Sequence, residues 1–588
     1  MGLIMQKMKR VTCPEELDAE IAEYGPTVLS VDLFDTLVYR RCPEPCTVFE
    51  IQFERIKSII PAQSCESWRN LRSTTESRLS KRALPSEILI DHIYREIGAK
   101  TNSDWDAMCS CLDAELSVEQ EVIRPYEKVV EVLKKWNSLG IEICITTDTY
   151  LPVNFIKSLL AGILTFPFML LCSSETMCPK RSGLAYGQLL SMYPASRILH
   201  IGDNLVSDIK RAEEAGISTC LIDWGRRAFL KRNGLIIEYL KQMNIRAFNT
   251  PIELFPSTAI EGARHEVAWR WAAVLTDFLQ SVEVAAHCYN ADEVWFLSRD
   301  CETMYKVVKT DPRGLAPFLL KYVYASRAAV HPIVALRDPL LFETWAKKGV
   351  DEEVLDKARG ASEAYTRLAD DGSQRIMIVD NGWKGRLQVA LQMALIKKDV
   401  RGFYFSLEDT AETESITNSD LFIGWDPSMI NQSAAESLAG YSGPGCTGYQ
   451  PESGDRWVPT FRTNERDVSP RDYCDALFTY LYEFWESSAL STRASLELRK
   501  SVIRELMAFP DYIVAMAFEG WGMYTSVDGI GEVAFQGGER LCTISKIIGR
   551  HVGGNLWPQL ALWGVLSNRK LVRLLQATIY ARRALKRN

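Results

Sequence analysis

A mostly apolar run, Thr27-Val28-Leu29-Ser30-Val31, leads directly into Asp32 and continues as Leu33-Phe34-Asp35-Thr36-Leu37-Val38. This pattern predicts a buried strand that delivers a carboxylate to the edge of a sheet. Further strand candidates lie at 142–146, 168–172, 197–201 and 219–222. They alternate with amphipathic stretches at 126–136, 153–160, 184–192 and 205–215. Alternation of this kind builds a parallel sheet with helices on both faces. In such sheets chemistry sits beyond the carboxyl ends of the strands. About eighty residues, 43–124, interrupt the pattern after the first strand and read as four helices at 48–59, 66–81, 85–97 and 105–122. An insert there predicts a cap over the strand ends, which screens a site from water.

Four polar tips lie at those ends. A carboxylate fixed at Asp32 can attack phosphorus or ligate magnesium, and an acid there can also simply cap a turn. Thr146-Thr147-Asp148 offers a hydroxyl beside a helix start, or a plain N-cap. Lys180, in Cys178-Pro179-Lys180-Arg181-Ser182-Gly183, can neutralise charge between nucleophile and electrophile, or lie solvated on the surface. In Gly202-Asp203-Asn204-Leu205-Val206-Ser207-Asp208 the glycine permits a tight turn, and two acids follow it. A capping aspartate explains one of those acids; a magnesium cage with Asp32 explains both.

Taken in this order, the four elements resemble the haloacid dehalogenase (HAD) superfamily of hydrolases over about the first 230 residues. The resemblance implies a Rossmann-like core with an inserted helical cap and phosphohydrolase chemistry through an aspartyl-phosphate on Asp32. It also implies magnesium held by Asp32, the Phe34 carbonyl, Asp203 and Asp208, with Thr147 and Lys180 on the phosphate. One departure is visible. Phosphatases of the superfamily carry a second aspartate two residues after the nucleophile, as general acid/base. Here that position is Phe34, and the acid, Asp35, comes one place later. Neighbouring side chains on a strand point to opposite faces, so Asp35 reaches the site only if the chain turns there. Dehalogenases of the superfamily also lack that aspartate, but they need no magnesium, and the acids at 203 and 208 argue for a metal.

At 588 residues the chain exceeds what one core supports. The expected division is a hydrolase core over 1–235, a helical connector over 236–290, a second α/β domain over 291–440, and a loop with a mainly helical region over 441–588. In the second domain, strands at 294–298, 321–325, 376–380 and 402–406 end in polar tips. Arg299, Arg327, Asp380, Gly382, Lys384 and Gly385, with Arg386, form a candidate anion site, or ordinary turns. Loosely, the 379–386 loop resembles the phosphoribosyl-binding loop of phosphoribosyltransferases, with one acid where two are usual. Residues 441–467, rich in Gly, Pro, Ser and Thr, predict a long loop. In the cap, Arg69, Arg72 and Glu76 share a helical face, either solvated or lining the substrate side.

A net charge of −7 gives no grip on nucleic acid. Fifteen cysteines without a Cys-x-x-Cys pair suit free thiols in a reducing cytoplasm. No secretory signal is expected in residues 1–9. No apolar run approaches the ~20 residues of a membrane span, the best candidate being 556–566. The basic stretch 569–588 predicts a solvated terminal helix, or one resting on an anionic membrane surface. The whole chain resembles long bacterial HAD-type hydrolases found with surface-polysaccharide glycosyltransferases. That resemblance implies a small phosphorylated substrate, glycosyltransferase partners and, as an alternative to catalysis, a weakened core acting as a binding or scaffold module.

Overall fold

The computed structural model describes residues 9–409, 416, 418–441, 443–452, 456–462, 469–488, 492–518, 522–524, 532–534 and 569–585. The membrane-span candidate at 556–566 and the start of the chain before residue 9 lie outside them. The chain divides into two compact units: residues 1–233 with 246–255, and 234–245 with 256–588.

The first unit is an α/β fold. Its strands are β1 (Lys9–Val11), β2 (Val28–Val31), β3 (Val38–Arg40), β4 (Ile123–Pro125), β5 (Glu142–Thr147), β6 (Met169–Cys172), β7 (Ile198–Gly202) and β8 (Ser218–Ile222). Six of them form one parallel sheet in the order β1-β8-β7-β2-β5-β6. Both faces of β2 are buried, which is why the strand reads as a nearly continuous apolar run. Leu29 and Val31 pack with Ile143, Ile145, Leu199 and Ile201, while Val28 packs with Cys144, Ile198, Tyr186 and Leu189. Register sets Val31 opposite Ile145 on one side and Ile201 on the other. The ends of β2, β5 and β7 therefore lie next to one another.

The insert leaves and returns on a two-stranded stalk, β3 paired antiparallel with β4. It carries α1 (Thr47–Ile56), α2 (Cys65–Ala83), α3 (Ile90–Thr101) and α4 (Trp105–Val122). The third helix begins five residues later than the periodicity suggests, because buried Glu87 departs from the helical path to bind Arg181 and Ser173. The face carrying Arg72 is not solvated. Arg72 is fully buried, makes paired 2.7 Å hydrogen bonds to Glu115 and a 2.8 Å bond to Glu76, and lies over the rings of Phe49 and Tyr150. Tyr94 donates to Glu115 and Trp68 donates to Gln52, which completes a polar core inside the cap.

The second unit holds a five-stranded parallel sheet in the order β10-β9-β11-β12-β13. Its strands are β9 (Glu293–Leu297), β10 (Leu319–Val323), β11 (Arg375–Trp383), β12 (Asp399–Leu407) and β13 (Ser419–Leu421). The helix expected as a connector, Ala259–Tyr289, belongs to this unit and is buried along most of its length. Its Asp277 accepts hydrogen bonds from Tyr239 and Arg499. The segment predicted as a long loop contains an antiparallel hairpin, β14 (Cys446–Glu452) with β15 (Arg456–Phe461). Tyr449, Trp457 and Val458 supply strand-forming side chains that outweigh the local glycine and proline. Trp457 rests against Gly360, where a Cβ would lie 2.9 Å from the indole. The terminal helix Arg569–Leu585 buries Val572, Gln576 and Ile579, and Gln576 donates to the Pro510 carbonyl. Among the described residues no helix is long and apolar enough to cross a membrane.

Replacing Arg72 by methionine should strip the buried Glu115 of its cation. Breaking a buried pair costs about 3–5 kcal/mol, so the first unit should unfold at distinctly lower denaturant, measured by circular dichroism.

Candidate active site

Asp32 continues β2, and its amide bonds to the Ile201 carbonyl of β7 at 2.9 Å. The chain then turns back on itself. Leu37 and Val38 both donate to Leu33, and Asp35 donates to Val38 from a left-handed conformation with φ +59°. Asp35 is therefore not on a continuing strand. It is exposed, and its charge reaches Asp203.

Beyond β7, Gly202 lies so close to Asp208 that an added Cβ would stand 2.5 Å from the Asp208 side chain. Asn204 caps the following helix by accepting from Val206 and Ser207. That helix opens with a wide turn, in which Ile209 donates five residues back to Asn204. The turn points Asp208 inward, where it also accepts from the Asn204 amide at 2.9 Å.

Asp32, Asp203 and Asp208 each offer a carboxylate oxygen within 4.8 Å of the others, and no comparable group occurs among the other described residues. Lys180 Nζ lies 2.5 Å from Asp32 and 2.6 Å from Asp208. Lys180 is itself buried, and its loop is held by Asp148, which accepts from the amides of Lys180 and Arg181 at 2.5 and 3.1 Å. Asp148 is a positioning residue that the sequence left as an N-cap. Thr147 ends β5, fully buried, with no hydrogen-bond partner for its hydroxyl. Under the carboxylates runs a buried chain: Thr146 to Ser30 at 2.9 Å, Ser30 to His200 at 2.8 Å, and His200 to Tyr186 at 3.1 Å.

Burial pushes the Asp32 carboxyl well above its usual range, and Lys180 only partly opposes it. Burial and the Asp35 charge lift Asp203 to about 6. Burial also acts to raise Asp208, but Lys180 and His200 outweigh it and hold this carboxyl low. Burial disfavours the Lys180 ammonium, yet Asp32 and Asp208 more than restore it. His200 is kept neutral by burial. The Lys180 ammonium and the exposed Arg227 guanidinium, 2.7 Å from Asp203, thus face three carboxylates. The surplus negative charge and the all-oxygen donor set fit a hard divalent cation.

Beside the site, cap and core residues line a partly open cavity of about 600 Å³, which Phe34 and Asp148 reach from the core. Phe34 lines it, with the Arg40 guanidinium 4.4 Å over its ring. Arg40 is bound in turn to Glu119 at 2.8 and 2.9 Å. The position of the usual second acid is thus filled by an aromatic ring under a guanidinium.

Residues 30–216 match the haloacid dehalogenase-like hydrolase family. This chain carries an HAD-like hydrolase domain. Solved structures similar to it include the HAD-hydrolase YfnB from Bacillus subtilis bound to magnesium, at 15% identity over 34% of this chain and 86% of that one, with a TM-score of 0.26. Another is 2-haloacid dehalogenase from Pseudomonas syringae pv. Tomato, at 18% identity over 33% and 84%, TM-score 0.25. A third is a predicted phosphoglycolate phosphatase from Haemophilus somnus, at 15% identity over 35% and 97%, TM-score 0.23. No curated protein matches the chain.

Outside the HAD domain, the tips of the second sheet hold mixed charge where the sequence suggested a cationic cradle. Arg299 lies 4.2 Å over the Tyr441 ring, and Arg327 and Lys384 are exposed. Asp300 accepts from Asn381 at 3.0 Å, and Glu436 accepts from the Trp383 indole at 2.9 Å. Gly382 and Gly385 both take positive φ, and at Gly382 a Cβ would meet the Ser406 carbonyl at 2.3 Å. Burial and the Asp300 charge push Asp380 up to about 8. Burial, with the Asp300 charge, pushes Glu436 up to about 7.

Two outcomes follow from these geometries. Gly202→Ala should displace Asp208 and cost about 1–3 kcal/mol through overpacking, visible as a lower melting temperature and a moved carboxylate in a crystal structure. For Asp380 the folded pKa lies above the unfolded one, so the folded form retains a proton that the unfolded form has lost. Its contribution to stability is therefore lost as pH rises from about 4 through about 8. Asp380→Asn should flatten that decline in a stability–pH profile, with its largest gain above pH 8.

Proposed function

We propose that the HAD domain is a magnesium-dependent phosphohydrolase acting on a small phosphorylated metabolite. One observation carries this reading: three convergent carboxylates meet a buried lysine and an unpartnered buried threonine hydroxyl at the ends of adjacent strands. Asp32, Asp203 and Asp208, with the Phe34 carbonyl, would hold the cation, which when bound supplies positive charge to the phosphoryl oxygens.

Asp32 attacks phosphorus, the bond from phosphorus to the leaving oxygen breaks, and an aspartyl-phosphate forms. Lys180 and Thr147 bind the phosphoryl oxygens, the lysine by charge and the threonine by its free hydroxyl. Water then attacks phosphorus, releasing inorganic phosphate and restoring Asp32. The leaving oxygen must gain a proton, and Phe34 has none to give. Asp35, turned out of the strand at positive φ, is the acid in the sequence next to that position. Phe34 also favours a second reading, in which a catalytically weak core is kept for binding in surface-polysaccharide assembly.

Phosphate release should be followed with magnesium over aryl and alkyl phosphates. Asp32→Asn should abolish it, and Thr147→Val should lower kcat by about 10²-fold or more. Asp35→Asn should slow alkyl phosphates while sparing aryl ones, whose leaving groups need no proton. An Asp32→Asn protein that releases phosphate at the parent rate refutes the assignment. Silence of the folded parent across the panel selects the binding reading.

A further inference from the structure

The charge balance of the cavity that Phe34 and Asp148 line restricts the group that carries the phosphate. Five carboxylates line it (Glu44, Glu76, Glu87, Glu119 and Asp148) against two guanidiniums, Arg40 and Arg181. Both guanidiniums are already engaged. Arg40 is bidentate to Glu119, and Arg181 binds Glu87 at 2.7 and 3.0 Å. Glu76 reaches only Arg72, which is shared with buried Glu115. Asp148 lies 3.9 Å from the same Arg181 that serves Glu87. Glu44 makes no ion pair among the described residues; its partner is the Cys46 thiol. On the phosphate side of the site, Lys180 is engaged with Asp32 and Asp208, and Arg227 with Asp203. The cavity therefore presents more carboxyl groups than free cations; burial pushes two of them, Glu76 and Asp148, toward the neutral form, in which they still accept hydrogen bonds. Its wall also offers neutral hydrogen-bonding groups: the Ser73 hydroxyl is buried without a partner, and the Tyr150 hydroxyl has none among the described residues.

Building on the phosphohydrolase reading, we infer that the substrate is a phosphomonoester of a polyhydroxylated or amino-bearing alcohol, and that carboxylate-bearing phosphate esters are rejected. Hydroxyl and ammonium donors satisfy surplus carboxylates. A substrate carboxylate meets like charge in a partly desolvated space and finds no free guanidinium to receive it. Glu44, exposed at the cavity wall and outside the phosphate-binding set, is the specificity residue that can be altered with least disturbance to the fold.

The test compares four substrates on the full chain with magnesium: p-nitrophenyl phosphate, glucosamine 6-phosphate, glucose 6-phosphate and 3-phosphoglycerate. Both sugars should exceed 3-phosphoglycerate in kcat/KM by about tenfold or more, with the amino sugar ahead. Glu44→Lys should shrink that ratio about fivefold or more, as expected for reversing a charge near the substrate, while keeping the parent's circular-dichroism melt. Three results overturn the inference: 3-phosphoglycerate hydrolysed within threefold of the sugars, a ratio unmoved by Glu44→Lys, or hydrolysis of p-nitrophenyl phosphate with none of either sugar. No release from p-nitrophenyl phosphate overturns the phosphohydrolase reading itself, and the substrate class with it.

Discussion

The Lys180 ammonium, shared between Asp32 and Asp208, is the interaction on which the first unit's chemistry depends. Two buried carboxylates at adjacent strand ends repel each other strongly in a low-dielectric interior, and a buried charge without a partner is not tolerated. Lysine satisfies both acids with one flexible stem. Its position is not left to that stem alone, since Asp148 fixes the loop through two backbone amides. Asp148 follows Thr147 directly beyond the end of β5, so one strand end supplies both a free hydroxyl and the anchor of the cation. Beneath them the chain from Thr146 through Ser30 and His200 to Tyr186 satisfies polar groups inside the sheet without adding charge.

The cap extends this economy of charge. Arg72 in the cap, Arg40 on its stalk and Arg181 in the core are each committed to glutamates, so these cations stabilise the structure and are withheld from the cavity. Glu87 links cap to core by meeting both Arg181 and Ser173. Arg181 follows Lys180, so the loop that places the buried ammonium also ties down the cap. The anchored cap and the cation between the two carboxylates are thus produced by two consecutive residues.

Much of this was legible in the sequence, for identifiable reasons. The parallel sheet was visible because its strands are buried on both faces and read as apolar runs ending in polar tips. The convergence of Asp32, Asp203 and Asp208 followed from those tips sharing one sheet edge. What could not be read depends on partners distant in sequence. Arg72 looked solvated because its helix is strongly polar; its burial is explained by Glu115, 43 residues away. The roles of Glu87 and Asp148 depend on a loop whose path periodicity does not encode. The hairpin at 446–461 was hidden because glycine and proline signals dominated a segment whose aromatics pack on a helix. The Ala259–Tyr289 helix looked like a connector because amphipathicity shows that a face is buried but not which core buries it.

The two parallel sheets resolve the same electrostatic problem differently. In the HAD domain the acids at the strand ends stay close and a buried lysine holds them, leaving surplus negative charge that suits a cation and a phosphate together. In the second unit Asp300, Asp380 and Glu436 gather near strand ends where Arg299 and Arg327 lie nearby but no lysine is buried among them, and burial drives Asp380 and Glu436 toward the protonated state. Strand tips that look alike in sequence therefore diverge according to whether a cation is buried with the acids: Lys180 holds Asp208 low, while Asp32, like Asp380, is pushed up by burial.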